Sequence, residues 1–308
     1  MPSVKSRRFD RDVDGILLLD KPQGVSSNAA LQAARGLYRA RKAGHAGSLD
    51  PMATGMLPIC FGEATKVCGF LLDASKVYRF TATLGQRTDS GDADGYVVAE
   101  AMVPTLTQDR IEAVLARNVG EQLQTPPMYS ALKHQGERLY ELARRGESVD
   151  REPRKIRVDR LQLLAWTPNQ LQIEVACSKG TYVRTIAEDL AAQLGTLAHL
   201  TTLRRMTVGS FAERRMYSLD ELERLGDVER QSLLLPLDSA LSHLPAAQLD
   251  VAQRRAILHG QSVVAPSRVE VDGSIRLYGP NCEFLGLGTA ALGGEIRPKR
   301  LVANRPGD

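Results

Sequence analysis

The sequence lacks most of the patterns that would commit it to familiar chemistry. Its four cysteines (Cys60, Cys68, Cys177, Cys282) form no CxxC pair. That spacing fits neither a zinc ribbon nor a disulfide framework, so a reducing cytoplasm is expected, with most of the four as small core residues. The five histidines are far apart, with no HExxH, and no GxSxG elbow or dinucleotide fingerprint is present. "GEATK" lacks the spacing of a phosphate loop. "SGDADG" imitates a calcium loop, but with Gly95 in the glycine place the bidentate acid would fall on Ala101. No metal and no organic cofactor is therefore expected. No apolar run reaches the ~18–20 residues of a membrane span. The basic start "MPSVKSRRFDRDVDG" has no apolar stretch behind it and does not read as a signal peptide.

What remains is an ordinary soluble composition. The chain has 308 residues, 43% hydrophobic and 25% charged, with a net charge of +4. That length holds about two domains, and the charge permits an anionic partner without requiring one.

Hydrophobic periodicity divides the chain. "GILLLDKPQG" reads as a buried strand over Ile16 to Leu19 that ends in a turn. Ser26 or Ser27 then caps a helix running through Leu31, Ala34 and Tyr38. "VYRFTATL" alternates, with Tyr78, Phe80, Ala82 and Leu84 on one face; "GQRTDSGDADG" reads as a loop. "LTQDRIEAVLARNVG" predicts a helix ending at Gly120. "LQIEVACS" is a second alternating strand, followed by a helix with Val183, Ala187, Leu190 and Leu194 in a stripe stopped by Gly195. Strands and helices mix without a βαβ rhythm, which predicts an α+β fold with a mixed sheet. After about Leu244 the texture turns to short strands and glycines, the mark of a small β-rich domain. The expected organisation is a basic arm over 1–12, a catalytic domain over 13–244 and a small domain over 245–308. The arm reads either as a solvated tail or as a phosphate contact.

One stretch stands apart. "AGHAGSLDPMATGMLP" holds a single acid, Asp50, among Leu49, Met52, Met56 and Leu57. A partly desolvated carboxylate needs a cation or donors. Asp50 before Pro51 also reads as a helix N-cap, and spacing alone favours that cap. Arg184, in "SKGTYVRTIAEDL", sits on the first turn of a helix and could hold Asp50 ionised, or could instead pair with Glu188 four residues on. The residues alone do not choose. A second carboxylate beside Asp50 would raise its pKa, and Glu63, the nearest acid in sequence, lies in an unrelated context.

Six stretches in order resemble a known family: "DKPQGVSS", "GHAGSLDPMATGMLP", "KVYRFTATLGQRTDSGDADG", "QTPPMYSALKHQGERLYELARRG", "CSKGTYVRTIAEDL" and "LRRMTVGSF". They resemble the motifs of the bacterial tRNA pseudouridine(55) synthases, the TruB type, from about Gly15 to Leu241. The last 60 residues are similar to a PUA-like RNA-binding module. The resemblance implies a pseudouridine-synthase fold, a mostly antiparallel mixed sheet flanked by helices. It implies that one uridine of the tRNA TΨC loop is flipped out, cleaved at N1–C1′, rotated and rejoined through C5, with no cofactor. In that reading Asp50 is the nucleophile, Arg184 its partner, and Tyr78 the stacking platform and proton acceptor. His45 holds the displaced RNA loop, and Tyr182 and Leu203 shape the substrate pocket. Lys21 is counted with the substrate-binding residues and, beside Pro22, supports the catalytic loop. A thumb-like insertion at about 125–155 brings Lys133, Arg138, Arg144, Arg145, Arg151, Arg154 and Lys155 to the RNA. The expected partner is the T-arm stem-loop of tRNA, met by a cytoplasmic monomer with no obligate protein partner and no membrane. A tRNA-folding role beside catalysis stays open.

Overall fold

The computed structural model describes residues 9–264, 273–291 and 293–303. Arm residues 1–8, and residues 265–272, 292 and 304–308 of the expected small domain, lie outside them.

Twelve strands lie between residues 9 and 208. They are β1 (Gly15–Lys21), β2 (Ala43–His45), β3 (Thr54–Phe61), β4 (Lys76–Leu84), β5 (Gln86–Thr88), β6 (Val97–Glu100), β7 (Gly120–Gln124), β8 (Lys133–His134), β9 (Glu137–Arg138), β10 (Arg154–Thr167), β11 (Gln170–Cys177) and β12 (Ala198–Val208). Eight build one sheet in the order β1-β3-β12-β4-β11-β10-β7, with β2 also paired to β3. Every pairing in it is antiparallel except the short contact of β12 with β3, where Arg204 meets Thr54 and Arg205 meets Gly55. This is the mixed, mostly antiparallel sheet the sequence predicts. β12 comes last in sequence yet lies between β3 and β4, so it joins two otherwise separate pieces of sheet.

Helices flank the sheet: α1 (Ser27–Tyr38), α2 (Cys68–Asp73), α3 (Gln108–Arg117), α4 (Leu139–Arg144), α5 (Val183–Leu194), α6 (Leu219–Arg224) and α7 (Asp227–Ser232). Ser26 is the cap of α1, its hydroxyl accepting the Ala29 N–H at 3.1 Å. Ala30, Leu31, Ala34 and Tyr38 fall at helical spacing and are buried. α5 buries Val183, Ile186, Ala187, Leu190 and Leu194 and stops at left-handed Gly195. Each fully buried aliphatic side chain contributes roughly 1.5–3 kcal/mol. α3 ends at Arg117, short of the expected Gly120. The Asn118 side chain donates to the Val114 carbonyl at 2.8 Å, and Gly120, at φ +113°, opens β7. The "GQRTDSGDADG" loop is also corrected, because Gln86–Thr88 pairs with Val97–Glu100 as a hairpin.

A second sheet has a core of its own around Leu249, Ile257, Ile275, Leu277, Leu285 and Ile296. It is built from β13 (Ala246–Gln248), β14 (Val263–Val264), β15 (Gly273–Tyr278), β16 (Phe284–Ala290) and β17 (Glu295–Leu301) in the order β13-β15-β16-β17-β14. The short strands match the texture of the sequence. Helix α8 (Val251–Leu258) was not expected; Asp250 and Gln253 form its capping box. The sheet is tied to the first by Lys66 donating to the Leu301 carbonyl at 2.8 Å and by the Ala303 N–H donating to Glu63 at 2.6 Å. Among the described residues no helix is long and apolar enough to cross a membrane.

Candidate active site

The loop between β2 and β3 carries Asp50. The expected helix after it is absent: residues 51–52 form a turn, and β3 begins at Thr54. Tertiary bonds set the turn and override the Asp-Pro signal. Gly24 N–H and the Lys21 ammonium both donate to the Pro51 carbonyl, at 2.8 and 3.3 Å. Ser27, which does not cap α1, is buried beneath the loop. It accepts the Leu49 N–H at 2.7 Å and donates back to the Leu49 carbonyl at 3.0 Å. Arg205 donates to the Gly47 carbonyl at 2.9 Å. A loop held from so many sides has little conformational freedom left.

Asp50 projects from this loop into a cavity of about 100 Å³, walled by Leu49, Tyr78, Tyr182, Arg184 and Leu203. An engineered cavity of about 150 Å³ holds one benzene, so this space, open on one side, is on the scale of a single flat ring. The Asp50 side chain keeps 39% of its surface toward the opening. Elsewhere protein surrounds it, and that burial pushes its pKa above the ordinary carboxylate value, with the Arg184 guanidinium opposing.

Arg184 is 4% exposed, and its Nη2 lies 3.1 Å from an Asp50 oxygen. Its ion pair is with Asp50, nine strands and three helices away in sequence, and not with Glu188 on its own helix. Two carbonyls aim it: Nη1 donates to Ser90 and Nη2 to Tyr129, both at 2.6 Å. Nη1 also lies 3.8 Å from Asp92, a buried acid held by Ser90 Oγ at 2.6 Å. Asp92 and Asp94 each raise the Asp50 pKa further. The sequence reading placed no second acid near Asp50 except distant Glu63; the β5–β6 hairpin brings two. The acids of "DSGDADG" carried the signal, but only the hairpin shows where they point.

Tyr78 sits on β4 opposite Arg205 of β12 and Val175 of β11. Burial raises its pKa, and the Arg205 guanidinium beside its hydroxyl opposes that shift. Tyr182 is the N-cap of α5. Its N–H donates to Gln124 Oε1 at 2.8 Å and its carbonyl accepts from Gln124 Nε2 at 3.1 Å, a reciprocal clamp from the end of β7. Leu203 completes the wall from β12.

The structure therefore brings Asp50, Tyr78, Arg184, Tyr182 and Leu203 to one cavity. Lys21 does not line it. The fully buried Lys21 ammonium donates to the carbonyls of Pro22, Val25 and Pro51, beneath the loop, and desolvation lowers its pKa to about 8. His45 also stands outside the cavity, on β2. Its buried Nδ1 has no partner among the described residues, and burial lowers its pKa. Ser27, Asp92 and Arg205 are the site-forming residues that sequence reasoning passed over. Arg205 had a signal: it follows Leu203 by two on a strand and so shares its face.

A loop acid paired with a helix guanidinium, in a ring-sized cavity that the central strands wall with Tyr78 and Leu203, is a site built to hold one flat ring against a carboxylate. A family model described as TruB family pseudouridylate synthase, N-terminal domain, matches residues 35–183. Models described as tRNA pseudouridylate synthase B C-terminal domain and pseudouridine synthase II TruB, C-terminal, match residues 184–242 and 245–302. The tRNA pseudouridine synthase B of Chromohalobacter salexigens is 50% identical over 297 residues, 96% of each chain. That of Methylobacillus flagellatus is 47% identical over 299 residues, 97% of this chain and 98% of its own. The chain belongs to the TruB family of pseudouridylate synthases. A chain from a Cbf5-Nop10-Gar1 complex shares the fold, with a TM-score of 0.70 at 22% identity over 99% of this chain and 87% of its own.

Proposed function

We propose that this chain isomerises one uridine in the T-arm loop of tRNA to pseudouridine. The observation that carries the reading is the Arg184–Asp50 pair, 3.1 Å apart, at the floor of a ring-sized cavity in a chain of this family. The target base leaves its stack at a cost of a few kcal/mol. Stacking on an aromatic such as Tyr78 returns about 1–3 kcal/mol. Asp50, kept ionised and aimed by Arg184, attacks as a carboxylate nucleophile. The N1–C1′ bond breaks, the enclosed ring turns, C5 joins C1′, and C5 gives up its proton. Tyr78 accepts that proton, Tyr182 and Leu203 confine the turning ring, and His45 meets the opened RNA loop. Lys21 keeps the Asp50 turn in place.

The segment at about 125–155 and its cations contact phosphates, which RNA-binding proteins grip for position more than for sequence. The small β-rich domain after residue 244 adds RNA surface. The chain works as a single copy in the cytoplasm, without an obligate protein partner. The deciding assay offers an isolated, unmodified T-arm stem-loop labelled with tritium at C5 of the target uridine. Tritium release with a mass-neutral product is expected. Free uracil, or no release without added proteins, would overturn the reading.

A further inference from the structure

The isomerisation proposed above gives no task to Arg205, yet few residues in the molecule are placed at greater cost. Arg205 is 1% exposed. A guanidinium stays charged at any pH where proteins fold, and burying it costs several kcal/mol unless it is paired. Among the described residues no ion pair joins Arg205 to a carboxylate; two backbone carbonyls hold it instead. Nε donates to the Met56 carbonyl at 2.7 Å and Nη2 to the Gly47 carbonyl at 2.9 Å. Those carbonyls lie on either side of Asp50 in the chain.

Arg205 also stands at the seam of the sheet. Its backbone packs on Gly55, where an added Cβ would come within 2.2 Å of the Arg205 carbonyl oxygen. On its other side it is the antiparallel partner of Tyr78, so the two side chains share a face. One side chain thus touches the loop that carries the nucleophile and the strand that carries the tyrosine.

We propose that Arg205 is a positioning residue for the isomerisation, holding the Asp50 loop and the Tyr78 hydroxyl in one register and supplying the positive charge against which the Tyr78 oxygen takes the C5 proton. The step balances. Once C5 is joined to C1′, the C5–H bond breaks and its electron pair forms the C5–C6 double bond. The former C6–N1 double-bond pair moves onto N1, which takes up a proton, while the C5 proton goes to the phenolate oxygen of Tyr78. The net change is a proton moved from C5 to N1. Of the groups that face Tyr78, Asp50 and Cys177 disfavour a phenolate and Arg205 favours it; Tyr182 and Arg184 line the same cavity.

The test uses the full-length enzyme with a T-arm stem-loop carrying either protium or deuterium at C5, in single turnover across pH, with RNA binding measured separately. Arg205→Met is expected to slow the reaction at least about tenfold at neutral pH while RNA affinity holds. The rising limb of its pH–rate profile moves to higher pH, and its deuterium isotope effect exceeds that of the unmodified enzyme. Arg205→Lys, which keeps a charge, shifts both readouts the same way by less, and it carries the test if Arg205→Met does not fold. An unshifted limb with an unchanged isotope effect overturns the proposal, whatever happens to the rate, because a purely structural role would slow every step alike. An unmodified enzyme that isomerises nothing sinks the uridine reading itself; an active one indifferent to Arg205 sinks only this inference.

Discussion

The cavity around Asp50 and the segment from Lys133 to Lys155 carry charge in opposite ways. In the cavity and beneath its loop the cations are few and buried, and each is fixed by backbone carbonyls: Arg184 by Ser90 and Tyr129, Lys21 by Pro22, Val25 and Pro51. In the segment they are many and stand in solvent. Arg145 is shared between Glu137 and Glu147 at 2.7 and 2.6 Å, and Arg138 and Arg144 lie over Tyr140 at 5.8 and 5.6 Å. Exposed pairs of this kind are worth about 0–1 kcal/mol and are screened by salt. Buried charges keep their geometry and escape most screening. The first arrangement suits a reaction that needs fixed atoms, and the second suits holding a polyanion.

Four changes would break or sharpen that contrast. Asp50→Asn is expected to remove isomerisation by about 10⁴-fold or more while tRNA binding survives; tritium release beside a filter-binding titration measures both. Arg184→Met should cost roughly 10²–10³-fold in kcat. It should also move the acid limb of the pH–rate profile upward, since Arg184, ahead of Lys21, is the stronger of the two cations that hold the Asp50 pKa down. Lys21→Met tests the support beneath the loop through stability. The folded chain binds a proton at Lys21 less readily than the unfolded chain does, with a pKa of about 8 against 10.5. Between those values the unfolded state carries more protons, so rising pH favours folding. The stability of the natural chain relative to Lys21→Met, read by urea unfolding, should therefore climb from pH 8 to 10.5, by up to about 3 kcal/mol. The smallest effect is expected in the exposed segment. Replacing Lys133, Arg138 and Arg144 with Ala should weaken tRNA binding by about tenfold and flatten its salt slope by about 2, with kcat unchanged. A loss of kcat at saturating tRNA would show that the segment shapes the cavity as well.

Much of this was legible in the sequence because it rested on period and local chemistry. The alternation of Tyr78, Phe80, Ala82 and Leu84, the stripe of α5 and the Ser26 cap all follow from the chain's own repeat. The pairing of Asp50 with Arg184 was visible as one of two options, because a desolvated acid needs a cation. What stayed hidden was fixed by contacts across long separations. Asp50-Pro51 has the local signature of a helix start, and only Lys21 and Gly24, converging on the Pro51 carbonyl, make it a turn. Asp92 looked like part of an incomplete calcium loop until the β5–β6 hairpin turned it toward Arg184. Nothing in its neighbours tells what Gly55 packs against; at φ +99° against the Arg205 backbone it marks where two strands close.

The place of β12 in the sheet has a consequence for how the enzyme is made. β1, β2 and β3 leave the ribosome first, and β4, β7, β10 and β11 follow, but the two sets have no common partner until residues 198–208 emerge. Until then β3 and β4 each present an open edge, the condition that invites mispairing in slowly formed, non-local sheets. Asp50 belongs to the early set, Tyr78 to the later one, and Leu203 and Arg205 to the strand that closes the gap. A nascent chain halted before residue 198 therefore holds the nucleophile but no cavity, and catalytic competence arrives in one late step of synthesis.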